Sequence, residues 1–266
     1  MKRLILSVVV VGLAGAVAIW LVRHNSTPAI PTQPTEEAAP APEAETISPE
    51  SPAPPTPKPS RRNSTTAQAR PVAVANDAAT DEITRIRQSV DQLVSPQTPF
   101  EDKYHTWIKL RDEGKINQVI SELYDRATNN PAAAEYPAAL GQAYLHKIAV
   151  TKDTRDYAVL GSLADRSFDS ALDIDPANWD ARFFKATAMS YWPAEMNKRP
   201  EVIERFTQLI QDQEAQSSQP QFAQSYYWLG ETYQKSGKAD YADQVWRRGV
   251  ALFPNDPMLK QKLASQ

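Results

Sequence analysis

The chain has 266 residues and a formal net charge of −3, from 29 basic and 32 acidic side chains. No basic stripe of the kind that nucleic-acid-binding domains carry stands out, so we do not expect a nucleic acid as partner. Cysteine is absent, which excludes disulfides and thiolate metal sites.

An apolar segment without charges covers Leu4–Val22, with basic residues on both sides. Nineteen residues just span a bilayer as a helix. We predict a transmembrane signal-anchor over residues 1–23, because the apolar run continues past the small residues that suit signal cleavage near Ala18. The excess of positive charge before the segment predicts a cytoplasmic N-terminus and a periplasmic or otherwise extracytoplasmic domain. The alternative is secretion after cleavage.

Residues 24–79 are predicted to form a disordered linker. Twelve of the 22 prolines lie between Pro28 and Pro71, among Ala, Glu, Ser and Thr. With so few large apolar side chains, this segment cannot offset the entropy cost of ordering and should act as a semi-extended tether. We expect a plain spacer; the alternative is that Pro52–Pro57 occupies a proline-binding groove.

The folded domain is predicted to cover residues 80–266 and to open with a helix. Thr80 suits its N-cap, and Pro96 stops it. One stripe of this helix is apolar and consists of Ile83, Ile86, Val90 and Leu93. We expect this stripe to pack on the next helices of the chain; the alternative is that it pairs with a helix of a partner.

Four helix-turn-helix units are then predicted, over residues 101–131, 134–177, 179–216 and 223–256. The last unit is the clearest, with Gly237 at a turn that favours positive φ and Pro254 as its stop. Large and small side chains alternate between its two helices, at Tyr226, Leu229, Gly230, Tyr233, Ala242, Trp246 and Gly249. The second unit has a similar spacing, at Leu140, Gly141, Tyr144, Ala164, Phe168, Ala171 and Pro176.

This spacing resembles that of the tetratricopeptide repeat (TPR), a helix-turn-helix unit of 34 residues. The resemblance implies an all-α solenoid of about four units whose concave face binds another molecule. Pro257 at a first helical position, followed by Leu259 and Leu263 on one face, predicts a C-terminal capping helix.

Two departures from the repeat are predicted to enlarge one edge of the stack. Twenty residues, rather than the usual nine, separate Tyr144 from Ala164, so both helices of the second unit should be about five residues longer. The third unit has a long turn from Trp192 to Pro200, in which Pro193 should end its first helix. This edge is a second candidate contact surface, with structural padding as the alternative.

The resemblance also implies which first-helix side chains face the groove. The predicted partner-binding residues are Gln142, His146, Phe183, Thr187, Tyr191, Gln224, Tyr227, Glu231, Gln234 and Lys235. Aromatic and neutral hydrogen-bonding groups of this kind suit an extended peptide or a helix.

Motifs for catalysis and for metal binding are missing from the sequence. The three histidines form no HExxH motif, and neither a calcium loop nor a phosphate loop is present. We therefore expect a non-enzymatic protein with no catalytic residues, metal or cofactor. The sequence predicts a membrane-anchored scaffold for a protein complex of the cell envelope. The alternatives are a periplasmic protein that binds a small molecule and a self-assembling structural protein.

Overall fold

The computed structural model of this chain describes residues 72–265, and every regular element in that part is helical. The predicted anchor and the linker up to Pro71 lie outside these residues. None of the helices within 72–265 is long and apolar enough to cross a membrane. The ten α-helices are α1 Val72–Val94, α2 Phe100–Asp112, α3 Ile116–Asn129, α4 Glu135–Val150, α5 Arg155–Ile174, α6 Trp179–Met189, α7 Arg199–Glu214, α8 Ala223–Lys235, α9 Ala239–Leu252 and α10 Pro257–Ala264.

Helix α1 begins eight residues before the predicted start of the domain at Thr80. The linker prediction was therefore wrong for residues 72–79, and so was the assignment of Thr80 as N-cap. Thr80 lies inside the helix, where its carbonyl oxygen accepts a hydrogen bond from Thr84 Oγ1 at 2.9 Å. Residues 72–79 are rich in alanine, which has a high helix propensity. They therefore extend the helix that the packed residues from Ile86 onward stabilise.

The apolar stripe of α1 packs inside the chain, as predicted, at three of its four positions. Ile86, Val90 and Leu93 are buried in a cluster with residues of α2, α3 and α4. Ile83 remains 52% exposed. Three ion pairs join α1 to α3 in rising order along both helices: Glu82–Lys115, Arg87–Glu122 and Asp91–Arg126. The two helices therefore run parallel.

The remaining helices follow one another as the four predicted helix-turn-helix units, α2–α3, α4–α5, α6–α7 and α8–α9, and α10 packs on the last one. The two helices of the last three units pack on each other, whereas α2 packs on α1 and α4 rather than closely on α3. Their core forms three clusters along the stack rather than one central core. The capping helix begins as predicted, with Pro257 in its first turn and Asp256 as N-cap through Leu259 N. Its Leu259 is fully buried.

Glycine allows close helix contacts at the same place in two hairpins. A Cβ atom at Gly141 would overlap the ring of Phe168, and one at Gly230 would overlap the indole of Trp246. Trp246 Nε1 donates to the Tyr227 carbonyl at 3.2 Å, which fixes the ring in this position. The similar residue spacing of the second and fourth units thus reflects the same arrangement in both, a glycine of the first helix packed against an aromatic ring of the second.

The enlarged units differ in detail from their predictions. Helices α4 and α5 have 16 and 20 residues, against 13 and 14 in α8 and α9, so they gain about three and six residues rather than five each. Asp153 explains the early start of α5, because its Oδ1 accepts from Arg155 N at 3.0 Å. Helix α6 ends at Met189, not at Pro193, and a short 3-10 turn over Ala194–Met196 leads to α7.

Candidate functional site

A groove with a cavity of about 630 Å³ lies along the first helices of the units. Helices α4, α5 and α6 form most of its wall, and α2, the turn after α6 and part of α8 complete it. We call this cavity the groove from here on. Its aromatic lining is Phe100, Tyr104, Trp107, Tyr157, Phe168, Phe183, Phe184, Tyr191, Trp192 and Trp228.

Contacts between rings hold this lining in place. His146 on α4 stacks on Trp107 of α2, with ring centroids 4.8 Å apart and planes 15° apart. Tyr191 meets Trp228 edge to face at 5.7 Å, which joins the end of α6 to α8. Because neighbouring units supply the partners of each pair, the shape of the groove depends on the stacking of the units.

Several polar atoms in the groove wall are buried without a hydrogen bond. Of the six buried side-chain atoms in residues 80–265 that have no partner, five belong to residues lining the groove. They are Tyr104 OH, His146 Nδ1, Thr187 Oγ1, Gln224 Oε1 and Trp228 Nε1. Leaving one such group unsatisfied costs about 1–3 kcal/mol. Their concentration at one cavity makes its wall the candidate binding surface of the described part of the chain.

The charged residues of the groove are paired with one another. The ammonium group of Lys185 is nearly buried and lies between Asp169 and Asp165, 3.1 Å from the latter. Lys103 Nζ lies 4.0 Å from Asp180. Burial raises the pKa of Asp180, and the positive charge of Lys103 opposes this shift. The groove therefore presents a surface close to neutral.

His146 is the one histidine of the described residues that lies in the groove wall. Burial lowers its pKa to about 3, and the positive charge of Arg111 acts in the same direction. The ring is therefore neutral near pH 7, with one nitrogen able to donate and the other to accept. Among the side chains of residues 80–265, no group of three or more His, Asp and Glu could hold a metal ion.

The structure brings together six of the ten predicted binding residues in the groove lining. These are Gln142, His146, Phe183, Thr187, Tyr191 and Gln224. The other four, on α8, are not part of this lining: Tyr227, Glu231, Gln234 and Lys235.

The capping helix explains why α8 contributes less than expected. Lys262 of α10 pairs with Glu231 at 2.5 Å, and its ammonium group lies 5.3 Å from the centre of the Tyr227 ring. Lys235 lies over the ring of Tyr191, 5.4 Å from its centre, and Gln234 is exposed. The sequence predicted both α8 and the cap, but not that one would cover this face of the other.

Sequence reasoning missed the contribution of α2 and of the start of α5. Tyr104 and Trp107 line the groove from the first unit, and Tyr157 and Asp165 line it from α5. The lengthened second unit was the available signal for α5. The turn of the second unit reaches the groove through Thr154. The long turn of the third unit reaches it through Trp192, Pro193 and Met196. The groove and the enlarged edge are therefore parts of a single surface.

Comparison with known proteins identifies solved structures with a similar fold. No family model matches the sequence, and no curated protein is significantly similar to it. The structure is similar to that of TTC0263, a thermophilic TPR protein of Thermus thermophilus, with a TM-score of 0.50 and 17% identity over 72% of this chain and 92% of that one. The chain has a TPR-like fold. A solved structure from a study of PilF of Pseudomonas aeruginosa also matches, with a TM-score of 0.45 and 16% identity over 66% of each chain.

At 17% identity the similarity concerns the fold alone. The chemistry of the groove must therefore be read from the residues of this chain.

Proposed function

We propose that this protein is a scaffold that binds a segment of another protein in the groove. The unpaired polar atoms in an aromatic wall carry this proposal. A peptide backbone offers alternating N–H donors and C=O acceptors, and the wall contains groups that need each kind. Trp228 Nε1–H is a donor, Gln224 Oε1 is an acceptor, and the hydroxyl groups of Tyr104 and Thr187 act as either.

The rim of the groove suits such a partner as well. Trp192 is 38% exposed and Met196 is more than half exposed, and both lie on the long turn of the third unit. Large, partly exposed aromatic and methionine side chains are enriched at protein interfaces. The paired charges beneath them leave apolar contacts and hydrogen bonds as the main sources of affinity.

We further propose that residues 1–23 anchor this scaffold in a membrane, with the repeat domain on the extracytoplasmic side. The support is the uncharged segment Leu4–Val22 and its flanking basic residues. Membranes from cells that make the full chain should retain it after carbonate washing. Protease added to intact spheroplasts should degrade the repeat domain. Release by carbonate would contradict the anchor, and protection from protease would contradict the topology.

Partner binding is tested with the full chain in mild detergent, immobilised and exposed to solubilised envelope proteins. Trp192→Ala and Tyr191→Ala should each reduce capture of the main bound protein by about tenfold, the loss expected for an interface hot spot. Tyr124→Ala is the matched control, because Tyr124 is also an exposed aromatic residue but lies on α3, outside the groove lining. Equal capture by all three variants would contradict the proposal.

The volume of the cavity favours one second candidate function. About 630 Å³ falls within the range of sites for small molecules, roughly 300–1,000 Å³. Native mass spectrometry of the full chain with a metabolite pool distinguishes this candidate. A bound metabolite that raises the melting temperature, with no protein captured, would favour small-molecule binding over the scaffold.

A further inference from the structure

We propose that Pro52–Pro57 of this same chain occupies the groove and competes with the partner. This inference rests on the proposed function of the groove and states how partner binding there is regulated. The segment Pro-Ala-Pro-Pro-Thr-Pro is uncharged and belongs to the part of the chain that precedes α1. Three observations support it: where α1 begins, how far the intervening residues reach, and which groups in the groove wall lack partners.

The start of α1 lies at the same edge of the stack as the enlarged turns. Since α1 runs parallel to α3, its N-terminal end lies beside the turn between α2 and α3. In a stack of antiparallel hairpins, the α4–α5 and α6–α7 turns lie at that same edge. Helix α1 continues from Glu82 back to Val72, which extends it about 15 Å beyond this contact at 1.5 Å per residue. The preceding segment therefore joins the domain on the side where the groove opens.

The distance can be covered by the chain. Residues 58–71, fourteen in number, separate the segment from α1. In polyproline II conformation they reach about 43 Å at ~3.1 Å per residue. Packed helices lie about 8–10 Å apart, so this length crosses four of them. The groove begins at α2 and ends at α8, and its middle is formed by α4 and α6.

The chemistry of the segment matches the groove wall. Proline rings pack on aromatic faces, and a polyproline II backbone leaves its carbonyl groups free to accept hydrogen bonds. Trp228 Nε1–H and Tyr104 OH are buried donors without partners in the described part of the chain. Ala53 and Thr56 keep N–H groups that can donate to Gln224 Oε1. An uncharged segment also suits a wall whose charges are already paired.

Engineered cysteines test this arrangement in the full chain, which has no cysteine of its own. One is Thr56→Cys, and the other is Ser162→Cys, an exposed position on α5 that lines the groove. The control pairs Thr56→Cys with Ser121→Cys, an exposed position on α3 that is not in the lining. Helix α3 packs directly on α1, so a tether without a preferred site would reach Ser121 more easily.

We expect a short bifunctional maleimide to link the groove pair about ten times faster than the control pair, because docking raises the effective concentration. Replacing the four prolines of the segment with serine should remove this difference. Equal rates for the two pairs, or faster linkage of the control, would overturn the proposal. Circular dichroism and the melting temperature of each variant establish that it is folded.

A second measurement separates this proposal from the proposed function. A synthetic peptide of residues 50–59 should change the tryptophan fluorescence of the four-proline variant at a peptide concentration about tenfold below that needed for the unmodified chain, whose groove is already occupied. If the linkage experiment fails while Trp192→Ala still reduces protein capture, only the competition is refuted. If linkage succeeds while groove variants leave capture unchanged, the segment binds the groove and the scaffold function is refuted.

Discussion

Single residues in the groove wall combine burial with unsatisfied polarity. His146 is 5% exposed, stacks on Trp107 and has an Nδ1 atom without a partner. A group of this kind is costly to the free protein, so it indicates binding more strongly than an exposed polar side chain does. The same burial makes the domain sensitive to acid.

Acid is expected to destabilise the folded domain through His146. Its pKa falls from an ordinary value near 6.5 to about 3 on folding, so between these pH values only the unfolded chain takes up the proton. Stability is therefore fully present above pH 6.5 and falls as the pH is lowered, by about 2 kcal/mol at pH 5. Urea unfolding at pH 7.5 and at pH 5 measures this loss.

The control for this effect is His146→Phe, which keeps a flat ring against Trp107 but cannot be protonated. It should show a smaller loss between pH 7.5 and pH 5 than the unmodified chain. Asp180 acts in the opposite direction, because a raised pKa favours the folded state in acid, and it is present in both proteins. An unchanged dependence in His146→Phe would contradict the assignment.

Gly230 is expected to be intolerant of a methyl group. In Gly230→Ala the added Cβ overlaps the indole of Trp246, which must move and give up its hydrogen bond to Tyr227. Overpacking of this kind costs about 1–3 kcal/mol. Gly161→Ala is the control, since no atom lies within 4 Å of its added Cβ, and it should stabilise α5 by about 0.5–1 kcal/mol. Melting temperatures that rise in both variants would contradict the close contact.

At the scale of helices, buried hydrogen bonds connect the third and fourth units. Gln213 on α7 is 2% exposed and accepts from Trp179 Nε1 of α6 and from Ser225 Oγ of α8, at 3.1 and 3.0 Å. Its Nε2 donates to the Phe222 carbonyl at 3.1 Å. One amide thus fixes the relative positions of three helices, two of which, α6 and α8, line the groove.

Replacing Gln213 with leucine should loosen this junction. The change leaves Trp179 Nε1–H and Ser225 Oγ–H without their acceptor, removes one donor to the Phe222 carbonyl, and should cost about 2–3 kcal/mol. Gln208→Leu on the same helix removes only an exposed hydrogen bond to Asp212 and should change stability by less than about 0.5 kcal/mol. Urea unfolding of the two variants gives the comparison. Similar stabilities would show that Gln213 does not determine the junction.

At the scale of the whole molecule, the helices from α4 to α10 pack mainly on their neighbours in sequence, whereas α1 packs on α3 as well as on α2. Stability in such a stack is close to a sum of local contributions, and the last unit depends on its cap. Leu259 of α10 is fully buried and fills the space beside Gly249 and Tyr226. The cap also turns Lys262 toward α8, which separates that face from the groove.

Leu259→Ala should therefore weaken one end of the stack more than the other. A large-to-small change at a fully buried leucine costs about 2–5 kcal/mol. Amide hydrogen exchange should speed up in α8 and α9 and remain unchanged in α1, α2 and α3. Leu252→Ala, which alters an exposed leucine on α9, is the control. Uniform acceleration along the chain would contradict the local character of the packing.

The sequence was sufficient for the hairpins because their signals are local. The paired glycine and aromatic residues, the turn at Gly237 with φ of +72° and Pro257 at the start of the cap each depend on the geometry of one or two adjacent helices. The start of α1 was misplaced because Thr80 followed by Asp81 and Glu82 has the pattern of a helix start, whereas the helix continues back to Val72. This helix depends on the packing that begins at Ile86.

Taken by itself, the sequence determined the helical repeat class, the four hairpins, the cap and six of the residues that line the groove. Only the tertiary structure decided that α2 and α5 complete the wall, that the enlarged edge opens into it and that α10 covers part of α8. The physical reason is that hairpin formation depends on neighbouring residues, whereas the groove forms between units. Its shape is set by how successive units stack, and contacts such as Trp107 with His146 cannot be read from spacing within one unit.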